Sequence, residues 1–395
     1  MRVKVRSGDT LWYYSRLFMI PLNLLIDSNP TINPNSLFIG QEVLIPGFIT
    51  QTYKIKKGDT LWKISVGKHL AVDALLLINQ NMNPNQLQTG STILIPKRVI
   101  TPIVSGMKNY HYEAVTEDIR NLKAIFPFIK VTTIGNTVLG KPIYEIQLGK
   151  GTKKVHFNAS IHANEWITSS VLMALLNYFL LSLTNIKPIR GLQTMPLYQS
   201  VNISIVPMVN PDGVDLVLNG PSPEVREQVI NINRGSTDFS GWKANIRGVD
   251  LNDQFPAKWE IEKERSPEKS PAPRDYPGTA PLTEPEAIAM ADLAKNRQFN
   301  RVLAFHTQGE EIYWGYEGLE PPESRALAEE FSRVSGYKSV QYIYSFAGFK
   351  DWFIKEFRKP GFTIEMGKGI NPLPLSQFDE IFEEVLGIYL AALYM

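Results

Sequence analysis

Val155-His156-Phe157-Asn158-Ala159-Ser160-Ile161-His162-Ala163-Asn164-Glu165-Trp166 is the stretch on which the reading of the fold turns. It has the form of a short apolar strand, a tight polar turn and the start of a helix. His162 and Glu165 stand three apart across that turn. A neutral imidazole and a carboxylate are two of the ligand types that zinc accepts. An isolated H-x-x-E is a frequent chance pattern, so its meaning depends on what the rest of the chain supplies.

Outward from it, short strand-like runs at 143–148, 154–159, 202–206, 302–305 and 362–364 alternate with helix-period stretches at 114–126, 166–183, 286–295, 324–334 and 378–389. That alternation predicts an α/β domain with a largely parallel or mixed sheet buried between helices. Thr283-Glu284-Pro285-Glu286 has the form of a capping box with proline in the first turn, and Ser376 with Asp379 that of a weaker one. The segment 256–281, rich in Pro, Lys and Glu, reads as an exposed loop. In such sheets functional groups gather beyond the carboxyl ends of the strands. The quoted strand delivers His162, Arg301-Val302-Leu303-Ala304-Phe305 delivers His306, and Gly361-Phe362-Thr363-Ile364 delivers Glu365. Three such residues converging from one sheet argue for a site rather than for isolated structural side chains.

Bulk properties narrow the chemistry. The chain has 395 residues, enough for one large domain and something smaller. With 44% hydrophobic and 20% charged residues it is globular, and a net charge of +2 without a long basic run argues against nucleic acid as a partner. There are no cysteines, which leaves His, Asp and Glu as metal ligands. Residues 171–183 are the most apolar stretch; interrupted by Asn177 and Ser182, they read as a core helix too short for a membrane span. Met1-Arg2-Val3-Lys4-Val5 has no apolar signal-peptide core, so the expectation is a cytoplasmic or spore-associated protein acting on cell wall, or a secreted one trimmed of its leader.

The first hundred residues are an internal repeat. Gly8-Asp9-Thr10-Leu11-Trp12 recurs as Gly58-Asp59-Thr60-Leu61-Trp62, Asn33-Pro34-Asn35 as Asn83-Pro84-Asn85, and Ile45-Pro46 as Ile95-Pro96, always fifty positions on. Each copy predicts a β-α-α-β module, over 2–47 and 51–97, with Asp9 and Asp59 placed as helix N-caps. Both copies resemble the LysM domain, which implies binding of N-acetylglucosamine-containing glycans such as peptidoglycan or chitin. The resemblance carries that role to the loop after the first strand, with Gly8, Asp9, Thr10, Gly58, Asp59 and Thr60, and to the loop before the last. Those residues are also turn and cap chemistry in their own right. Residues 99–106 read as a short connector.

From 103 to the C-terminus the constellation is similar to the zinc carboxypeptidases. The resemblance rests on His162-x-x-Glu165, Asn210-Pro211-Asp212-Gly213, Gly248-Val249-Asp250-Leu251-Asn252, Tyr276-Pro277-Gly278, His306 and Glu365. It implies the family's mixed sheet sandwiched by helices, one zinc ion held by His162, Glu165 and His306, and Glu365 as general base. It makes Asp250 the carboxylate that receives the free N–H of His162, although a plain turn residue fits there equally well. Either Lys243 or Arg247 takes the oxyanion-stabilising role; the guanidinium suits it better. Tyr344 lies near the family's substrate tyrosine, offset by one residue. His69, His111 and His156 have no motif around them.

One departure bears on the substrate. Family members that remove C-terminal amino acids carry Asn-Arg where this chain has Asn252-Asp253. A carboxylate there repels a terminal carboxylate and favours an ammonium. Glycan modules followed by such a site resemble peptidases that cut the γ-D-glutamyl–meso-diaminopimelate bond of peptidoglycan stem peptides. Two other functions are compatible with parts of the pattern. A conventional metallocarboxypeptidase would release C-terminal amino acids, and a non-catalytic glycan-binding protein would use the peptidase scaffold without activity.

Overall fold

A computed structural model describes residues 1–395 and divides into two compact units. One comprises 1–103 with 119–130 and 177–195; the other comprises the remainder.

The first unit contains both repeats. The first is β1 (Arg2–Lys4), α1 (Leu11–Leu17), α2 (Leu22–Asp27) and β2 (Glu42–Leu44); the second is β3 (Phe48–Lys54), α3 (Leu61–Gly67), α4 (Val72–Ile78) and β4 (Thr92–Arg98). In each, the two strands pair antiparallel. The second module's core is Ile55, Leu61, Ile64, Leu75, Ile93 and Ile95, all buried. The helix caps differ from expectation. Thr10 and Thr60 are the N-caps, accepting from the N–H groups of Tyr13 (3.0 Å) and Lys63 (3.1 Å). Asp9 and Asp59 instead reach backwards, to the N–H groups of Arg6 (2.9 Å) and Lys56 (2.7 Å). They close the turn that Gly8 and Gly58 make at positive φ. Gly-Asp-Thr is therefore fully engaged in shaping each module.

The second unit is built on an eight-stranded sheet. In chain order the elements after β4 are α5 (Tyr112–Ile125), β5 (Lys130–Asn136), β6 (Pro142–Leu148), β7 (Lys153–Ala159), α6 (Ile167–Asn185), α7 (Thr194–Ser200), β8 (Val201–Val206), α8 (Pro211–Asn219), α9 (Arg226–Ile232), α10 (Trp259–Arg265), α11 (Pro285–Arg297), β9 (Arg301–His306), β10 (Glu311–Tyr313), α12 (Glu323–Ser335), β11 (Lys338–Val340), α13 (Phe349–Phe357), β12 (Gly361–Glu365) and α14 (Phe378–Tyr394), with parts of α5, α6 and α7 (119–125, 177–185 and 194–195) belonging to the first unit. The strand order is β11-β10-β12-β9-β7-β8-β6-β5. The four central strands β12, β9, β7 and β8 are parallel, with antiparallel partners on both sides. β9 is buried at every position, as a strand covered on both faces must be.

Register positions the chemistry. Glu365 pairs with His306 across β12 and β9, and Phe305 pairs with Ala159 across β9 and β7. The carboxyl ends of three strands thus lie side by side, and the chain leaving β7 turns over them through a short 3₁₀ turn, Ala163–Glu165, into α6. The apolar run from Ala163 to Asn185 is longer than the sequence reading allowed. By length and composition it is able to cross a membrane, yet 89% of that window is buried inside the fold, so it is a core helix.

Two expected capping boxes are absent. Thr283 gives its hydroxyl to Gln254 Oε1 (3.0 Å), Glu284 is the N-cap of α11, and Glu286 accepts from Val138 N–H (3.1 Å) and Asn245 (3.3 Å). α14 starts from Gln377 without a side-chain cap. At α11 tertiary partners outcompeted the local ones. The segment read as an exposed loop, 256–281, contains α10, whose Trp259 and Glu262 are buried. Glu262, Arg265, Ser266 and Asp275 line a cavity, while Lys258, Glu260, Lys263, Glu264 and Lys269 stay exposed.

Glu286 carries a pH dependence. Burial pushes its carboxyl up to about 7, against the hydrogen bonds that favour the ionised form. A raised native-state value means the neutral acid is preferred in the fold. Stability is then fully present below the unfolded value and declines as pH rises toward about 7. The expected penalty by neutral pH is on the order of 3 kcal/mol. Glu286→Gln should flatten the melting temperature between pH 5 and 8, whereas the wild type falls across that range. Parallel profiles for the two proteins in thermal melts would refute this.

Candidate metal centre and active-site cavity

The turn after β7 is tied down before it reaches the ligands. Ser160 adopts positive φ and donates its N–H to Thr168 Oγ1 (2.9 Å), while its hydroxyl meets that of Ser169 (2.6 Å). This fixes the entry to α6 and brings His162 and Glu165 onto one side of the turn. His162 Nδ1 lies 2.8 Å from Glu165 Oε1. His306 Nδ1 lies 3.1 Å from Glu165 Oε2 and 3.2 Å from His162 Nδ1. All three side chains are buried, and their ligand atoms fall within 4.8 Å of one another. Glu165 is steadied by the N–H of Thr307 (3.2 Å).

These contacts fit a cation. Asp250 Oδ1 sits 3.2 Å from His162 Nε2 and takes the ring N–H on that side. A neutral His162 then points its Nδ1 lone pair at a carboxylate oxygen and at a second ring nitrogen, which is repulsive unless positive charge sits among them. The charge balance says the same. Burial opposes protonation of His162, but Glu165 and Asp250 outweigh it and raise the imidazole to about 10. Glu165 is held well below the usual carboxylate range by His162 and His306, despite its burial. Two imidazoles and one carboxylate answer to a borderline divalent ion such as zinc.

Asp250 is buried, and against that burial His162 and Lys243 hold it well below the carboxylate range. It also accepts from the N–H groups of Asn252 (3.1 Å) and Asp275 (3.3 Å). A turn role and a role behind His162 are therefore combined in one side chain. Such a partner fixes the imidazole's tautomer and direction.

The centre opens into a cavity of about 410 Å³. His162, Asp250, Glu365 and Lys243 line it, as do Asn252 and Asp253. Burial, then repulsion from Glu165, pushes Glu365 up to about 8. A cation among the three ligands returns it toward the ionised form. Lys243 is half-buried, and Glu165 and Asp250 outweigh its desolvation and raise it. Arg247, the other candidate and the better suited by chemistry, is not brought to the cavity. Its side chain is 50% exposed and turned to Glu284 at 3.4 Å. Tyr344 is also outside it: 77% exposed, its ring stacks over the Arg265 guanidinium at 5.0 Å, and only its neighbours Ile343 and Ser345 line the wall.

Asp253 is distinctive. Its carboxyl lines the cavity and forms no hydrogen bond or ion pair within the chain. Burial, then the nearby Asp250 and Glu262, pushes it well above the carboxylate range. Sequence reasoning missed three of its companions in the wall. Glu262 and Arg265 come from α10, and Lys350 forms a buried ion pair with Asp351 (2.5 Å) while donating to the Gly315 carbonyl (2.8 Å). Only Lys350 carried a signal, a Lys-Asp pair set between Phe349 and Trp352 in the first turn of α13. His156 is a buried neutral core histidine, bonded to Ser204 (3.0 Å) and stacked on Phe299. Burial lowers it to about 3.

Residues 115–386 match the family model described as zinc carboxypeptidase, and 3–46 and 53–96 each match that of the LysM domain. The chain is 61% identical over 397 residues to gamma-D-glutamyl-L-diamino acid endopeptidase 1 of Lysinibacillus sphaericus, covering 100% of both chains. It is 51% identical over 295 residues to the uncharacterized protein YqgT of Bacillus subtilis strain 168, covering 73% of this chain and 78% of that one. The fold is similar to that of bovine thrombin-activatable fibrinolysis inhibitor in complex with a tick carboxypeptidase inhibitor, with a TM-score of 0.57 at 19% identity over 73% of this chain and 97% of that one.

Proposed function

The chain belongs to the zinc carboxypeptidase family, and from that premise we propose that it hydrolyses the γ-D-glutamyl–meso-diaminopimelate amide of peptidoglycan stem peptides. Its two LysM modules hold it on the N-acetylated glycan of the cell wall. The observation that carries this reading is Asp253, an unpartnered carboxyl aimed into the cavity beside the centre. An ammonium beside this carboxyl draws it back to the ionised form, so the amine of diaminopimelate gains a charge-assisted partner that a free α-carboxylate does not. The name of the full-length relative supports the same substrate class.

A zinc ion held by His162, Glu165 and His306 supplies, when bound, a Lewis acid that acidifies water and polarises the scissile carbonyl. Glu365 takes a proton from the attacking water and gives it to the nitrogen that leaves. One C–O bond forms, the C–N bond breaks, and the amine departs protonated. Lys243 offers an ammonium to the carbonyl oxygen as negative charge develops on it. Asp250 keeps His162 facing inward. Asp253 orients the substrate through its side-chain amine.

Mass spectrometry of products from defined muropeptides tests this. Cleavage between D-glutamate and diaminopimelate is expected; release of single C-terminal amino acids with that bond intact would overturn it. Asp253→Asn should lower kcat/KM on diaminopimelate stems by about 10- to 100-fold, the worth of one charge-assisted hydrogen bond. The same variant should lose the wild type's discrimination against a stem whose side-chain amine is acetylated. Retained discrimination would remove Asp253 from substrate recognition.

A further inference from the structure

The repeats align without a gap, so the places where they differ show what each copy does alone. Arg6, Tyr13, Asp73 and Gln80 have Lys56, Lys63, Asn23 and Pro30 as counterparts. These four residues meet one another's module. Arg6 Nη1 and Nη2 fork onto Asp73 Oδ1 (2.9 Å) and Oδ2 (2.6 Å). Tyr13 donates its hydroxyl to the same carboxylate (2.5 Å), and Asp9 steadies the guanidinium from behind (3.0 Å). Gln80 donates to the Lys4 carbonyl (2.7 Å). A planar, bidentate pair with a third donor fixes orientation as well as distance. None of the counterparts reproduces it: Asn23 has no charge and Pro30 no donor.

What the lock aligns is a groove. In the second module a groove of about 530 Å³ between α4 and β4 is lined by Asn83, Gln86, Gln88 and Ser91. Through Ile78, Gln80 and Asn81 it runs into a cleft of about 310 Å³, whose far wall is Lys4 and Glu42 of the first module. Uncharged amides and hydroxyls offer donors and acceptors together, the pattern that acetamido and hydroxyl groups of a sugar require. The first module keeps Asn33, Ser36 and Gln41 at three of those four positions. It carries the exposed Phe38 and Ile39 where the second has Gln88 and Thr89.

We propose that the inter-module cleft continues the groove of the second module into one extended site for β-1,4-linked N-acetylated glycan, aligned by the Arg6–Asp73–Tyr13 contact. The proposal rests on the reading of the repeats as glycan-binding modules. It adds that the pair binds as one body and reads chain length.

The test uses the full-length protein and calorimetric titration with the disaccharide and the hexasaccharide of N-acetylglucosamine. Peptide-stripped peptidoglycan strands of hexasaccharide length form a second arm that separates the two sources of such glycan. Wild type is expected to prefer the longer ligand. Asp73→Ala should weaken hexasaccharide binding on the order of tenfold, equivalent to about 1.4 kcal/mol, and leave the disaccharide and the hydrolysis of a soluble muropeptide unchanged. Arg6→Met breaks the same contact from the other module and covers the case in which Asp73→Ala does not fold. Unchanged hexasaccharide affinity in both variants overturns the proposal, as does equal affinity of wild type for the two oligomers. Failure of wild type to bind any of the glycans removes the glycan reading itself, and the proposal with it.

Discussion

Glu365→Gln is expected to lower turnover by about three orders of magnitude while the protein keeps its metal. The substitution preserves shape and burial at the end of β12 and removes only the ability to accept a proton. Glu365 lines the cavity beside His162 but lies outside the trio whose ligand atoms cluster, so metal content should not follow activity. Elemental analysis together with single-turnover rates on a diaminopimelate muropeptide measures both quantities. Activity within tenfold of wild type would transfer the proton-accepting role to another residue. Loss of metal would move Glu365 into the ligand set.

Glu165→Ala should do the reverse, removing metal and activity together. Glu165 is the link between the two imidazoles, 2.8 Å from one and 3.1 Å from the other, and the only carboxylate among the three ligands. Without it two buried neutral rings face each other with nothing to balance a divalent charge. Turnover should fall by about three orders of magnitude or more. Because metal binds the folded chain and not the unfolded one, added zinc should raise the melting temperature of metal-stripped wild type. The same addition should leave the variant unmoved. Stoichiometric metal in purified Glu165→Ala would contradict the assignment.

The fold and the centre were legible to very different degrees. The ligands could be read because each follows an apolar strand, and a strand end in a parallel sheet leaves a side chain few directions to take. The repeat could be read because identical turns demand identical residues at a fixed spacing. The cavity wall could not. Glu262 and Arg265 lie in a Pro- and charge-rich stretch whose composition is that of solvated chain; buried Trp259 and the bonds of Glu262 to Phe346 N–H (3.0 Å) and of Arg265 to the Tyr344 carbonyl (2.6 Å) hold α10 against the fold. Lys243 and Arg247 are four residues apart in a single loop. What separates them is tertiary: Lys243 is held in the backbone contacts of Ala163 and Pro273, whereas Arg247 lies beyond the reach of the cavity beside Glu284. The capping box at Thr283 failed for the same kind of reason, because Gln254 took the hydroxyl that the helix end would have used.

The strand order has a consequence for when the enzyme becomes active. β12 is the last strand in the chain, yet it lies between β10 and β9. A nascent chain synthesised as far as Pro360 already holds His162, Glu165 and His306 but has neither the carboxylate that accepts the proton nor the strand that joins β10 to β9. Hydrolytic competence therefore arrives only with the final strand. Chains that stop before β12 carry the ligand set without Glu365, so the proton-accepting carboxylate is the last part of the site to be made.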